Sequence, residues 1–206
     1  MKIPDIRQAQ EFLAEAEALN PGPWIQHSIY VARAASAIAE HHPNLDPEVA
    51  FVFGYLHDIG RRFGVTDMRH ILDGYNFCQE QGYPTVARIC LTHSFPILKL
   101  ESAAGKWDCT RQELSFIKNY LEQIQPNEYD QLIQLCDALA LPSGFTLIEK
   151  RFVDVVLRHG INEYTLLRWR AYLAIKHRFE MEIGRSIYSF LPGVVENTFG
   201  FESKTE

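Results

Sequence analysis

Helix stop signals at short intervals constrain this chain more than any other feature of its sequence. Ile6, Phe12, Leu13 and Leu19 sit among Ala, Glu and Gln until Asn20-Pro21-Gly22 closes the segment. Pro23 suits a helix start, and Trp24 to Glu40 is an Ala-rich periodic run ended by His42-Pro43. Asp46-Pro47-Glu48 reads as the capped start of a helix reaching Asp58 or Ile59, with Gly60 as its C-cap. Met68, Ile71, Leu72, Tyr75 and Cys78 keep helical spacing up to Gly82, and Pro84 opens a helix closed by Pro96. From Ile97 to Asp108 the periodicity fails, as in a loop. Helices are predicted at about Arg111–Gln123, Glu128–Leu139 and Leu147–Arg158, and a long amphipathic one at about Glu163–Gly184. The last residues read as weakly tied down. There is no repeat and no hairpin signal between alternating strands. The fold class that follows is all-α.

The 206 residues, 47% hydrophobic and 22% charged, are enough to bury a sizeable core within one domain. A formal charge of −6 speaks against long nucleic acids, whose binding needs phosphate neutralisation by Lys and Arg. A small anionic substrate stays open, because a bound metal reverses the local field. Cys78, Cys90, Cys109 and Cys136 form no CxxC pair, which fits a reducing cytoplasm. The start, MKIPDIRQAQEFLAEA, lacks the apolar stretch of a secretory signal, and no apolar run approaches the ~18–20 residues of a membrane span. A cytoplasmic protein without membrane contact is expected.

Six residues carry the chemistry: His27, the adjacent His57 and Asp58, His70, His93 and Asp137. Each falls at a predicted helix end or one to two turns from it, in apolar company such as GYLHDIG, CLTHSF and LIQLCDALA. A carboxylate placed there must be paired or bound to a cation, since burying an isolated charge is costly. Imidazole nitrogens with carboxylate oxygens suit Fe, Mn, Zn, Ni or Co rather than Ca. Neighbouring helical residues point ~100° apart, so His57 and Asp58 can flank one ion, or Asp58 can bridge two. The spacing is not HExxH, which disfavours a zincin protease. Any one of these residues alone is an ordinary core or surface side chain. Only the full order is informative.

That order, H…HD…D with HDIGR after an apolar helix, resembles the HD-domain metal-dependent phosphohydrolase superfamily over about Trp24 to Leu141. The resemblance implies an HD-domain-like helical bundle in which His27, His57, Asp58 and Asp137 ligate a divalent metal. His70, in His70-Ile71-Leu72-Asp73-Gly74, resembles the HxxxG element of two-metal members, and His93 in LTHSF matches their next histidine. One or two ions are therefore implied. The implied activity is hydrolysis of a small phosphorylated molecule, a nucleotide or dinucleotide, by metal-activated water attack on phosphorus. Asp58 and Arg61 would be catalytic, Arg61 gripping phosphate oxygens. The alternative is a non-catalytic metal-binding module for ligand sensing or protein interaction. Gly82-Tyr83-Pro84 spells GYP but precedes His93, and Thr92 stands where HD-GYP domains carry a second histidine. A cyclic-di-nucleotide enzyme is thus not the reading.

One HD-like domain is expected over 1–206, with the metal-binding core at about 24–141 and a helical C-terminal extension at about 142–190. Within that extension Phe152, Val155, Val156, Leu166, Leu167, Trp169, Leu173 and Ile175 are core candidates. Phe190, Phe199 and Phe201 read as intramolecular anchors, with a homodimer left open. Arg62, Lys99, Lys106 and Arg111 read as surface charges, the last three near a loop able to close over substrate. Asp73 is a candidate partner for His70.

Overall fold

The computed structural model describes residues 2–201. Among these, ten α-helices carry the fold: α1 (Ile6–Leu19), α2 (Trp24–Ala39), α3 (Pro47–Leu56), α4 (Arg69–Glu80), α5 (Pro84–Thr92), α6 (Arg111–Gln123), α7 (Glu128–Leu139), α8 (Ile148–His159), α9 (Thr165–Ile183) and α10 (Val194–Phe199). The expected all-α class is what the structure has. The only strands among the described residues are β1 (Ala140–Leu141) and β2 (Gly144–Phe145), an antiparallel pair. Pro142 and Gly144 mark that turn, where the sequence shows punctuation without alternating strands.

Several helices start where local capping chemistry dictates. Asp46 Oδ1 accepts from the amides of Glu48 and Val49, with Pro47 at the first helical position of α3. Thr110 with Glu113, and Asn127 with Asp130, close capping boxes on α6 and α7. The start of α4 is different. Its amides at Asp67 and Arg69 donate to the carboxylate of Asp108, about forty residues away, at 2.8 and 2.6 Å. No local pattern at Thr66 could announce that cap.

The core forms where α2 packs on α3 and α7, and where α4 packs on α5. The Ala-rich face of α2 lets α3 approach closely: a Cβ on Gly54 would stand 2.7 Å from Ala32 Cα. A second apolar cluster joins Leu72, Leu91, Phe95, Ile117 and Leu121, so that α6 covers the outer side of α4 and α5. Helix α3 ends at Leu56, earlier than expected, and a 3-10 turn, Ile59–Phe63, follows. The predicted cap Gly60 lies inside that turn because it touches α4, where the carbonyl of His70 and the amide of Gly74 leave no room for a Cβ. Tertiary contact, not helix termination, is what requires glycine there.

The C-terminal third departs more from expectation. Phe152 and Ile175 are buried, but Leu166, Leu167 and Leu173 are exposed. Residues 185–201 are anchored: Asn197 Nδ2 donates to Phe145 O, and the Leu147 amide donates to Thr198 Oγ1, while the last residues, 202–206, lie outside the described ones. Phe190 stacks on His41, whereas Phe199 and Phe201 stay exposed and stack on one another. Arg62 is no solvated charge; its guanidinium lies 4.2 Å from the centre of the Phe77 ring.

Gly60→Ala is expected to force the 3-10 turn away from α4 and to cost about 1–3 kcal/mol, the usual range for overpacking. Urea unfolding measures it, and wild-type stability in this variant would contradict the close contact.

Candidate metal centre

The six sequence-predicted residues come together from five helices. His27 is in the first turn of α2, His57 and Asp58 leave the end of α3, His70 opens α4, His93 ends α5, and Asp137 is near the end of α7. His57 and Asp58 are 0% and 4% exposed, and His27, His70 and His93 are also buried. Donor atoms of His27, His57 and Asp58 lie within 4.8 Å of one another, as do those of Asp58, His70 and His93. Asp58 belongs to both groups. Asp137 joins from the side, its Oδ1 3.0 Å from His27 Nε2.

Three of the imidazoles are oriented by backbone carbonyls of their own helix ends. His57 Nδ1 donates to Gly54 O at 2.7 Å, His93 Nδ1 to Cys90 O at 2.9 Å, and His70 Nδ1 to Asp67 O. Asp73, a candidate partner of His70, pairs with Arg69 at 3.4 Å. A carbonyl only accepts, so in the neutral ring each Nδ1 holds the proton and each Nε2 presents a bare lone pair. Those lone pairs converge on Asp58. His57 Nε2 and Asp58 Oδ1 are buried without any hydrogen-bond partner. His70 and His93 bring their Nε2 atoms to 3.4 Å, where two bare lone pairs cannot bond each other. Arg61 Nη2 reaches one of them, His70 Nε2, and a cation at the centre would satisfy the others together.

Donor spacing fits a divalent metal. Two donors each about 2.1 Å from one ion, at ligand angles of about 90–120°, stand about 3.0–3.6 Å apart. His27–Asp137 at 3.0 Å, Asp58–His70 at 3.2 Å, His70–His93 at 3.4 Å and Asp58–His93 at 3.6 Å all fall in that interval. Nitrogen and oxygen donors without a cysteine suit the borderline divalent ions.

Electrostatics follow from burial and from one arginine. Burial alone would push the Asp58 carboxyl up, but Arg61, His57 and His70 outweigh it and hold it well below the usual carboxylate range. Arg61 Nε donates to Asp58 Oδ2 at 2.6 Å, and its Nη2 reaches within 3.4 Å of His70 Nε2. Burial works against Asp137 too, and His27 and Arg151 more than offset it. Burial first, then His57, lowers His93 from an ordinary 6.5 to about 3, and burial likewise lowers His57. Both rings are neutral at pH 7, the form that ligates metal.

The centre opens into a cavity of about 670 Å³, lined by His27, Asp58, His70, His93 and Asp137. Arg61 also lines it, as do residues that sequence reading passed over. Arg151, Arg158 and Arg168 enter from α8 and α9, where no local motif marks them. Lys99, Lys106 and Arg111 do not line it; the Lys106 amide donates to Asp67, and Lys99 lies over the Tyr164 ring. Gln134, unnoticed within LIQLCDALA, donates to the carbonyls of Thr92 and Phe95 at 3.1 Å each and so fixes the turn that carries His93. A polar residue amid buried apolar ones was the available signal.

The HD-domain family model matches residues 24–141, more than half of the chain. The chain belongs to the HD-domain family. No curated protein and no solved structure matches it. HD domains bind divalent metals and are in general metal-dependent hydrolases, and the donor groups here suit that chemistry. No helix among the described residues is long and apolar enough to cross a membrane.

Acid should destabilise the metal-free HD domain. Below pH 6.5 the unfolded chain protonates its histidines while folded His93 and His57 resist, so the unfolded state binds more protons and stability is lost as the pH drops. Asp58 adds to the loss once pH drops through the carboxylate range. The urea midpoint is expected to decline from about pH 6.5 to 4, less steeply in His93→Gln. A flat profile would refute the neutral-imidazole assignment.

Proposed function

We propose that this HD domain is a metal-dependent phosphohydrolase acting on a small phosphorylated molecule, a nucleotide or dinucleotide. The observation that carries the reading is the pair of donor groups sharing Asp58 at an arginine-lined cavity. His27, His57, Asp58 and Asp137 would hold one divalent ion, and Asp58, His70 and His93 a second. Bound ions lower the pKa of a coordinated water to about 7 and neutralise charge on phosphoryl oxygens.

The chain's own groups do the rest. Backbone carbonyls hold the His57, His70 and His93 rings so that every Nε2 faces the centre. Asp137 is 19% exposed at its side chain and lines the cavity, so it can accept a hydrogen bond from the attacking water and orient it. Arg61 has its Nε committed to Asp58, with Nη1 3.5 Å from Thr66 O and Nη2 3.4 Å from His70 Nε2. The second hydrogen on each terminal nitrogen can meet a non-bridging phosphate oxygen. In the hydrolysis the water oxygen forms the new P–O bond, the ester or anhydride P–O bond breaks, and the proton passes to the leaving oxygen. We read 1–206 as one domain, with residues 142–190 completing the cavity that 24–141 begins. A cytoplasmic setting and a substrate other than long nucleic acid belong to the same reading.

Protein purified without chelator should contain transition metal, and saturating Mn or Fe should raise its stability by about 3 kcal/mol at a hundredfold excess over Kd. Asp58→Ala should lose that shift. A phosphatase and nucleotide screen with added Mn or Fe should give turnover that falls by at least about 10³-fold in His57→Ala. Metal binding with no turnover on any phosphorylated compound would favour the sensing module instead.

A further inference from the structure

The cavity holds more positive charge than one phosphoryl group at the metal centre requires. Arg61 is paired with Asp58, and Arg151 stands 3.7 Å from Asp137 Oδ1. Arg158 and Arg168 also line the cavity, yet among the described residues neither has a carboxylate at ion-pair distance. Arg168 is 6% exposed, and neutral oxygens hold its guanidinium: Ser102 O at 2.6 Å, Asn162 Oδ1 at 3.1 Å and Thr165 Oγ1 at 3.3 Å. Those bonds occupy Nη1 and one hydrogen of Nη2, so Nε–H and the other Nη2 hydrogen stay available and the charge is uncompensated. Arg158 Nε donates only to a carbonyl of its own helix, Asp154 O, at 3.3 Å. A guanidinium without a counterion on a concave wall attracts anions, and a planar fork binds phosphate oxygens in pairs.

Flat aromatic surface lies beside these arginines. Trp24, Trp169 and Tyr172 line the same cavity, and Trp169 is stacked on Phe152 with ring planes 5° apart. At about 670 Å³ the cavity is in the size range of small-molecule and cofactor sites.

We propose that α8 and α9 build a second anion subsite, in which Arg158 and Arg168 bind phosphate groups beyond the one at the metal centre. The substrate is then a phosphate chain carrying an aromatic base, such as a nucleoside polyphosphate, and not a monoester. This deepens the phosphohydrolase reading and rests on it for the position of the scissile phosphate. The binding subsite itself does not need turnover.

The test is calorimetric titration of the full-length metal-loaded protein with inorganic triphosphate and with orthophosphate, repeated after chelator treatment because triphosphate also binds free ions. Triphosphate is expected to bind at least about tenfold more tightly than orthophosphate, and Arg158→Gln should remove about tenfold of triphosphate affinity. Arg158 is exposed, so this variant should fold; Arg168→Lys, which keeps a charge but loses the fork, should weaken triphosphate in the same direction. Melting curves confirm folding of both. Equal affinity for the two anions, or full triphosphate preference in Arg158→Gln, overturns the subsite. Turnover is scored separately. A triphosphate preference lost in Arg158→Gln with no hydrolysis keeps the subsite and sinks the phosphohydrolase reading, while monoester hydrolysis without triphosphate preference does the reverse.

Discussion

A carboxylate that is 4% exposed cannot stay ionised without cations around it, and the arrangement of the first 141 residues answers that demand at Asp58. Arg61 supplies one cation, three residues on, through a 2.6 Å contact. The imidazoles of His70 and His93 stand 3.2 and 3.6 Å from the other oxygen, Oδ1, and His57 Nε2 stands 3.9 Å from Oδ2. Each imidazole is on a different helix end, so the polar centre can form only when α3, α4 and α5 meet. Gly60 makes that meeting close, and Gln134 and Asp108 tie down the neighbouring turns. A buried polar cluster of this kind is expensive unless every lone pair is satisfied.

Much of the fold was legible because its determinants are local. The capping boxes at Thr110 and Asn127 and the Asp46-Pro47 start involve residues within one turn, so α3, α6 and α7 begin where the sequence says. The six donors were also legible, since the order of His and Asp along the chain survives folding. What escaped reading is non-local. The α4 cap comes from Asp108, and Arg62 lies on Phe77 rather than in water. None of these partners is separated by a helical period. Likewise Leu166, Leu167 and Leu173 have helical spacing but face outward, because α9 spends its inward positions on Arg168, Ile175 and Phe179.

The same distinction explains how an acidic chain can present an arginine-lined cavity. Many of its charges neutralise one another one turn apart on helix surfaces, as in Arg7–Glu11, Lys118–Glu122, Lys150–Asp154, Lys176–Glu180 and Arg178–Glu182. Such exposed pairs add little to stability and little to the field at a distance, because solvent screens them. The net −6 counts them all equally with buried groups. Inside the cavity screening is weak, and there the arginines outnumber the aspartates four to three even before a divalent ion is added. Local potential therefore departs in sign from net charge. A metal bound by Asp58 and Asp137 would neutralise the very carboxylates that now offset Arg61 and Arg151, so loading the centre would free those guanidiniums as well. Metal binding and anion binding would in this way be coupled through the same two aspartates, each strengthening the other.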